Sequence, residues 1–437
     1  MRRDVLLLQG PIGPFFNRFA SELEERNFVV HKVNLNGGDR FFYRKPGAVD
    51  YNGELEHWGA FLERFITNNK IGRIYLFGDC RAYHRIAKKV AKDNNVRVFV
   101  FEEGYIRPNF ITLEENGVNG HSSLLNKGLV IPKNLSEEYE ESDSPKHVFV
   151  LTAIYSMIYY WASAFSRKRF PHYQHHRAFS WLPEGWRWVI SGMRKLRFER
   201  REKEVLNKLL PEFANNYFIC PLQVHCDMQV TEHSDYNSIE HFIGEVLTSF
   251  SNFAPKNKAL VFKHHPLDRG YTDYTNLLEN MISEHGLHGR VYYVHDVCLP
   301  TLLKNAQGTV LINSTVGMSS LFHGTPVKTL GKAIYDLPGL TSDASLKRFW
   351  KNRETVDTKA FINFRHFLIG RNQINGNLYR VTAGESAAGL IWSESLDAEH
   401  RYVADRLETH DGQVQLRVVA GLDVDPPPKQ DDDTKAA

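Results

Sequence analysis

The chain has 437 residues, 42% hydrophobic and 24% charged, a globular composition that excludes a disordered polymer and leaves room for two or three cores at about 150 residues each. A formal charge of +3 is too small to mark a nucleic-acid binder. The charge is uneven, because residues 166–203 hold eleven Lys/Arg against three Glu, so the rest of the chain is net acidic.

In chain order, Val5–Leu8 reads as a short apolar strand, Phe15–Glu25 as a helix and Phe28–Val33 as a strand. Residues 55–68 form a helical pattern, Ile74–Phe77 a strand, and Arg81–Lys92 an amphipathic helix with Tyr83, Ile86, Ala87 and Val90 on one face. Val96–Phe101 is again strand-like. A second series begins near Tyr217: strands at Tyr217–Cys220, Ala259–Phe262, Val291–Val294, Thr309–Ile312 and Val327–Leu330, with helices at 238–250 and from Thr315. Continuous apolar strands separated by helices predict parallel sheets covered on both faces. The expected fold is therefore α/β, with two Rossmann-like units at 1–206 and 207–345. Residues 346–382 are expected to be C-terminal helices able to cross back. Residues 383–437 form an extension whose end, Pro-, Asp- and Lys-rich from Asp423, predicts disorder.

Between the units, residues 148–165 are uncharged yet contain three tyrosines, a tryptophan and several Ser/Thr, too polar and short for a comfortable membrane span. A helical wheel puts Leu151, Ile154, Tyr155, Ile158, Trp161, Ala162 and Phe165 on one face, opposite Thr152, Ser156, Tyr159 and Ser163. Trp161, Trp181, Trp186 and Trp188 lie here and in the basic stretch. Aromatics interleaved with cations suit a segment, 148–203, that lies on an anionic membrane surface, although a basic, aromatic-rich connection would look the same.

Chemistry-bearing residues gather at strand ends, where open α/β sheets bind ligands. Glu102-Glu103-Gly104 follows one strand, and Gly104 permits a turn that aims a carboxylate into a cleft; two acids opening a solvated loop is the plain alternative. Lys263-His264-His265-Pro266 ends another strand with Arg269 beyond, and an imidazole there can donate to a departing phosphate. Asn313-Ser314-Thr315 stands between a strand and a helix, as an anion site or an ordinary helix cap. Gln9-Gly10, the Asn36–Arg40 stretch with Asp39 and Arg40, and Gly78-Asp79-Cys80-Arg81 occupy the other strand ends of the first unit. None of these loops fits a dinucleotide-binding or Walker pattern.

His172, His175 and His176 cluster without carboxylates, and His264, His265, His295 and Asp296 lack helical ligand spacing, so no metal is expected. Four cysteines without a C-x-x-C pair suit a reducing compartment. The start, Met1-Arg2-Arg3-Asp4 with only a short apolar run after it, is not a secretory signal, so a cytoplasmic location is expected.

With these residues in hand, the chain resembles the capsule polysaccharide biosynthesis and export family of Gram-negative bacteria, in its KpsS/LipB branch. The resemblance runs over roughly residues 4–380 through Leu6–Phe16 (LLLQGPIGPFF), Asn36–Phe42 (NGGDRFF), Phe77–His84 (FGDCRAYH) and Phe101–Glu115 (FEEGYIRPNFITLEE). It continues in Lys263–Gly270 (KHHPLDRG), Asn313–Gly317 (NSTVG), Tyr335–Thr341 (YDLPGLT) and Gln373–Tyr379. It implies a GT-B fold, two Rossmann-like domains facing a central cleft, the first for the acceptor and the second for a CMP-sugar. The activity it implies is a retaining β-Kdo transferase that uses CMP-Kdo to start the poly-Kdo linker on (lyso)phosphatidylglycerol at the inner membrane, beside other capsule proteins and without nucleic acid.

The family's acid–Gly and His–Pro motifs map onto Glu102-Glu103-Gly104 and His265-Pro266. Lys263, His265, Pro266, Asn313, Ser314 and Thr315 would bind the CMP-sugar donor, with Lys263, His265, Ser314 and Thr315 stabilising its phosphate without a metal ion. Gln9, Gly10, Asp39, Arg40, Arg81 and Arg107 would line the acceptor and sugar side, with an arginine on the Kdo carboxylate. Retention calls for two displacements, with Glu103 the first choice of nucleophile and Glu102 or Asp79 the alternatives. A different CMP-linked ulosonic acid, or a non-catalytic scaffold of the capsule complex, would leave the same motifs.

Overall fold

The computed structural model describes residues 4–107, 110–125, 148–175, 181–352 and 354–380, with two short strands at 408–410 and 413–415. The first half is built from β1 (Asp4–Leu7), α1 (Phe15–Glu25), β2 (Val30–Asn34), α2 (Gly37–Phe42), β3 (Ala48–Asp50), α3 (Leu55–Asn68), β4 (Ile71–Phe77), α4 (Ala82–Asp93), β5 (Arg97–Glu103) and β6 (Phe110–Glu115). Two helices follow, α5 (Val148–Phe165) and α6 (Trp181–Phe213). The second half contains β7 (Tyr217–Pro221), α7 (Met228–Thr231), α8 (Ile239–Phe253), β8 (Ala259–Lys263), α9 (Thr275–Glu284), β9 (Val291–Val294), α10 (Leu299–Lys304), β10 (Gly308–Leu311), α11 (Val316–Phe322) and β11 (Val327–Thr329). The chain then runs through α12 (Leu346–Phe349), α13 (Thr358–Arg371) and β12 (Gln373–Asn375).

The first sheet has the order β12-β6-β5-β4-β1-β2-β3, parallel from β3 to β5 and antiparallel at β6 and β12. Alternation along its strands feeds two cores. Val5, Leu7, Tyr75, Phe99 and Phe101 meet Phe15, Phe16 and Phe19 of α1, while Leu6, Ile74, Leu76, Val98 and Val100 meet Trp58, Leu62, Ile66, Tyr83 and Ala87 of α3 and α4. Each fully buried aliphatic or phenyl side chain contributes about 1.5–3 kcal/mol. The second sheet, β11-β10-β7-β8-β9, is wholly parallel. Its core gathers Phe218, Phe242, Ile243, Val246, Phe250, Leu260 and Phe262.

Three features depart from the sequence reading. First, β5 runs through Glu103 rather than stopping at Phe101, with Glu102 opposite Thr112 and Glu103 opposite Ile111. Second, the Asn36–Arg40 loop is the start of α2, where the Asn36 side chain accepts from the Asp39 N–H. Third, the boundary expected at 206/207 falls inside α6, whose Leu209 and Phe213 are buried against Tyr217, Ile219 and Val261 of the second sheet. Most of the 383–437 extension lies outside the described residues, apart from the hairpin Glu408–His410 with Gln413–Gln415.

The segment after the second sheet first packs on the second half and then returns. Trp350 is fully buried, edge-on to Phe218 at 4.9 Å and Phe250 at 5.4 Å, and its indole N–H donates to Ser249 at 3.0 Å. Beyond α13 the chain reaches the first sheet, where Gln373, Ile374 and Asn375 pair antiparallel with Thr112, Ile111 and Phe110. Trp350→Ala is expected to cost about 3–5 kcal/mol and to lower the urea midpoint of the second half's unfolding, read from near-ultraviolet dichroism.

Candidate active site

Because side chains alternate along a strand, Glu102 and Glu103 leave opposite faces of β5. Glu103 lies on the Phe101 face, where the Tyr379 hydroxyl donates to its Oε1 at 2.9 Å. Glu102 lies on the Val100 face, with its Oε1 accepting from the Glu103 N–H at 3.0 Å. Burial pushes the Glu102 carboxyl from its ordinary 4.5 up to about 7, and the charge of Glu103 adds to this against the pull of Arg81 and Arg107. Gly104 makes the turn possible by close approach, since a Cβ there would lie 2.3 Å from the Phe110 carbonyl. The turn is held from far along the chain: the Gln373 carbonyl accepts from the N–H groups of Tyr105 at 2.8 Å and Ile106 at 3.3 Å.

After β8, in the second sheet, His265 caps a 3₁₀ turn at Pro266–Asp268. Its Nδ1 accepts from the Leu267 N–H at 3.2 Å, which puts the ring proton on Nε2 as a donor. Burial lowers its pKa to about 4, against the pull of Asp268 and Asp227, so the imidazole is neutral at physiological pH. Asp268 is the buried anchor of this loop, accepting from His225 and from Thr272. Below it, Arg194 of α6 donates to the carbonyls of Arg269 and Thr272.

The other donor-side residues divide by role. Lys263 is buried and donates to the His295 carbonyl at 2.9 Å, and Pro266 is exposed at the head of the turn. Asn313 is tied to Gln223 at 3.1 Å and to the Gln229 carbonyl at 2.7 Å, which fixes the loop around α7. Ser314 Oγ accepts from the Val316 N–H at 3.2 Å. Thr315 caps α11 without a side-chain hydrogen bond to it. It faces a crevice of about 260 Å³, counting its open mouth, where Tyr105 and Asn119 of the first half meet Gln229, Asn313, Lys332 and Tyr335 of the second. Glu102, Glu103 and His265 stand outside that lining, and the charge of Arg107 acts on both Glu102 and His265.

Several expected sugar-side residues already have partners within the chain. Gln9 donates to the hydroxyls of Tyr159 at 2.8 Å and Tyr173 at 2.9 Å, and Tyr159 donates to Asp39 at 3.0 Å. A Cβ on Gly10 would lie 2.8 Å from the Phe16 ring, so this glycine serves packing. Arg40 pairs with Asp50, which also takes Arg169. Asp79 is buried and bonded to Lys88 at 2.7 Å and His121 at 2.8 Å; burial works to raise its pKa, but these partners hold it below the usual range. By contrast, Arg81 and Arg107 form no ion pair among the described residues. Arg81 lies 5.5 Å over the Phe77 ring, beside the Gly78 turn at φ +70°, and Arg107 donates to the Gly104 carbonyl. Sequence reasoning missed Tyr379 and Gln373 as partners of the acid turn, although both lie in the closing motif, and missed Asp268 as the anchor of the His–Pro loop.

Two open α/β sheets joined by a returning C-terminal segment, with an acid and an imidazole at strand ends of different sheets, define a GT-B, glycosyltransferase-like architecture. The chain belongs to the capsule polysaccharide biosynthesis protein family, whose model matches residues 73–379. It is 39% identical over 374 residues to the capsule polysaccharide export protein KpsS of Escherichia coli, covering 86% of this chain and 96% of that one. It is also 39% identical over 384 residues to the capsule polysaccharide modification protein LipB of Neisseria meningitidis serogroup B, covering 86% and 91%. A beta Kdo 2,7 transferase structure, KpsC of Thermosulfurimonas dismutans, is similar at 16% identity and a TM-score of 0.39, covering 83% of this chain and 99% of that one. That likeness is too distant to carry function.

Glu102 binds its proton more tightly in the folded chain than in the unfolded one. The stability it contributes is complete below pH 4.5 and is lost as pH rises through about 7. Glu102→Gln is therefore expected to remove this loss. Urea midpoints measured from pH 5 to 7.5 should fall less steeply in the variant than in the wild type, and parallel curves would place the Glu102 titration elsewhere.

Proposed function

We propose that the chain is a retaining β-Kdo transferase that uses CMP-Kdo to begin the Kdo linker on (lyso)phosphatidylglycerol in capsule biosynthesis. The observation that supports this reading best is the acid turn. A carboxylate at the end of β5, oriented by Tyr379, and a neutral imidazole at the end of β8 with its Nε2–H as donor are the pair such a reaction needs. In this reading Glu103 attacks the anomeric carbon as the CMP phosphate departs, and the acceptor hydroxyl displaces Glu103 in turn. Tyr379 bonds one carboxylate oxygen, leaving the other for attack. His265, the Ser314 hydroxyl and Thr315 stabilise the departing phosphate, without a divalent ion. Arg81 and Arg107 hold the Kdo carboxylate. Glu102, whose pKa near 7 suits proton transfer, exchanges a proton with the acceptor side.

Membrane association, part of the same proposal, draws on the polarity of α5. The helix is mounted with its polar side inward. Tyr159 is buried against Gln9, Asn36 and Asp39, and the Ser163 hydroxyl accepts from the Gly38 N–H at 3.1 Å. A Cβ on Gly37 or Gly38 would lie 2.3 Å or 2.4 Å from α5 atoms, so the glycine pair exists for this contact. The outward side carries exposed Val150, Ile154, Met157, Trp161 and Phe165 in one stripe, the last 87% exposed, with exposed Arg167 and Lys168 following. No described helix is long and apolar enough to cross a membrane. An apolar stripe flanked by cations fits a helix lying in the surface of an anionic bilayer. Trp181, Trp186 and Trp188, which the sequence also pointed to, have side chains outside the described residues.

With CMP-Kdo and a fluorescent phosphatidylglycerol, the wild type should form a larger, more polar lipid whose mass reports donor, acceptor and number of units. Added Mg²⁺ should leave the rate unchanged. Glu103→Gln and His265→Ala are expected to lower turnover at least about 100-fold while the circular dichroism stays that of the wild type. Retained product in both would overturn the assignment, and product only with another CMP-linked ulosonic acid would replace the donor. A scaffold role predicts that both variants still support capsule assembly in cells.

The double variant Trp161→Glu/Phe165→Glu should lose at least about 10-fold in affinity for phosphatidylglycerol vesicles. Arg167→Gln/Lys168→Gln should weaken binding in a salt-dependent manner. Vesicle binding indifferent to all four changes would place the membrane contact elsewhere.

A further inference from the structure

We propose that Cys80, His121 and His233 form a zinc site that latches the two halves of the molecule together, independently of sugar transfer. Cys80 follows β4 and His121 ends the 3₁₀ turn at Asn119–His121, both in the first half, whereas His233 follows α7 in the second. One ligand atom from each lies within 4.8 Å of the other two. Cys80 Sγ and His233 Nε2 are 3.5 Å apart. Bonds of about 2.3 Å to sulfur and 2.05 Å to nitrogen at a tetrahedral angle put those two ligands about 3.5 Å apart. The His121 and His233 rings are nearly perpendicular, with centroids 4.6 Å apart.

The surroundings are those of a metal centre rather than of a chance contact. Asp79 accepts from His121 Nδ1 at 2.8 Å, which leaves Nε2 as the ring's free lone pair, and Asp79 is itself held by Lys88 at 2.7 Å. A carboxylate behind a histidine in this way fixes its tautomer and orientation for a metal. The backbone is bared where the halves meet: a Cβ on Gly120 would lie 2.3 Å from His233 Nδ1. One sulfur and two imidazoles select zinc over magnesium or calcium, which require oxygen ligands. On binding, the Cys80 thiol releases its proton to solvent, both imidazoles coordinate as neutral rings, and a water completes the four positions. The ion would join Cys80 and His121 to His233 beside the Arg85–Glu232 ion pair that also spans the halves, fixing the hinge between them.

The test uses the full chain with Cys226→Ser and Cys298→Ser, which removes the two more accessible thiols. Titration with Co²⁺ should reach one equivalent with the intense visible bands of a tetrahedral site and a thiolate charge-transfer band, both abolished by Zn²⁺. Zn²⁺ should also raise the thermal midpoint. Adding Cys80→Ser should eliminate the charge-transfer band and lower affinity at least 10-fold, and His233→Ala should lower it as much. His121→Gln serves as a second probe should either variant misfold in chelator. Weak octahedral spectra, or a Co²⁺ spectrum unchanged by Cys80→Ser or His121→Gln, would overturn the proposal.

Discussion

The acid turn is built by a segment that arrives only after the second sheet is complete. Gln373 offers its side-chain carbonyl to two backbone N–H groups at 105 and 106, and its amide nitrogen to Thr112. Buried backbone donors left unpaired would each cost about 1–3 kcal/mol, so this one side chain decides whether the strand can turn where it does. Tyr379, six residues on, supplies the hydroxyl to Glu103. Between the second sheet and this return, α13 buries Phe361, Phe364, Phe367 and Leu368 in a cluster shared with Tyr105, Ile106, Leu311 and Met318. The position of Glu103 therefore depends on the closure of the whole chain. A local loop could not hold it against solvent with the same rigidity.

The same logic of remote fixation explains α5. A helix with one polar and one apolar side normally hides the apolar side. Here the first half presents Gln9, Asn36 and Asp39 as hydrogen-bonding partners, and Tyr159 answers all three. Buried polar groups demand full satisfaction, and this network supplies it, so the polar side is the one that docks. The outward apolar stripe is a consequence of that choice, not a failure of packing. It also explains why strand-end residues that look suited to ligand binding are occupied, since they bind a helix of their own chain.

The parallel strands other than the short β3 were legible because continuous apolar runs such as Leu260, Val261 and Phe262 admit few other readings. The antiparallel additions were not. In β12, Gln373-Ile374-Asn375 carries no strand pattern, and only its pairing with β6 makes it a strand. Gly37-Gly38 reads as a loop because glycine is a poor helix former, and its reason for being there, the close approach of α5, lies over a hundred residues away. Placing the end of β5 two residues early hid the fact that Glu102 and Glu103 face opposite ways, since the alternation applies only within the strand. The acid, the imidazole, Arg81 and Arg107 could be placed at strand ends from local context alone. The partners of Gln9, Asp39 and Asp79, which are Tyr159, Lys88 and His121, cannot be read from spacing. Cys80, His121 and His233 come from three segments and leave no ligand pattern at all.

The electrostatics of Glu102 and His265 follow from burial acting in opposite directions on acids and bases. Glu102 is pushed toward its neutral form, and His265 likewise sheds its proton. With Glu102 protonated, Arg81 and Arg107 lose its counter-charge, a balance that attracts an anion. An anionic ligand held by these arginines would raise the Glu102 pKa further, because a second negative charge penalises its ionised form, and the proton would stay until the ligand's charge departs. In the proposed reaction, binding and protonation would be linked through one side chain: the anion would favour the protonated acid, and its departure would free that acid to ionise.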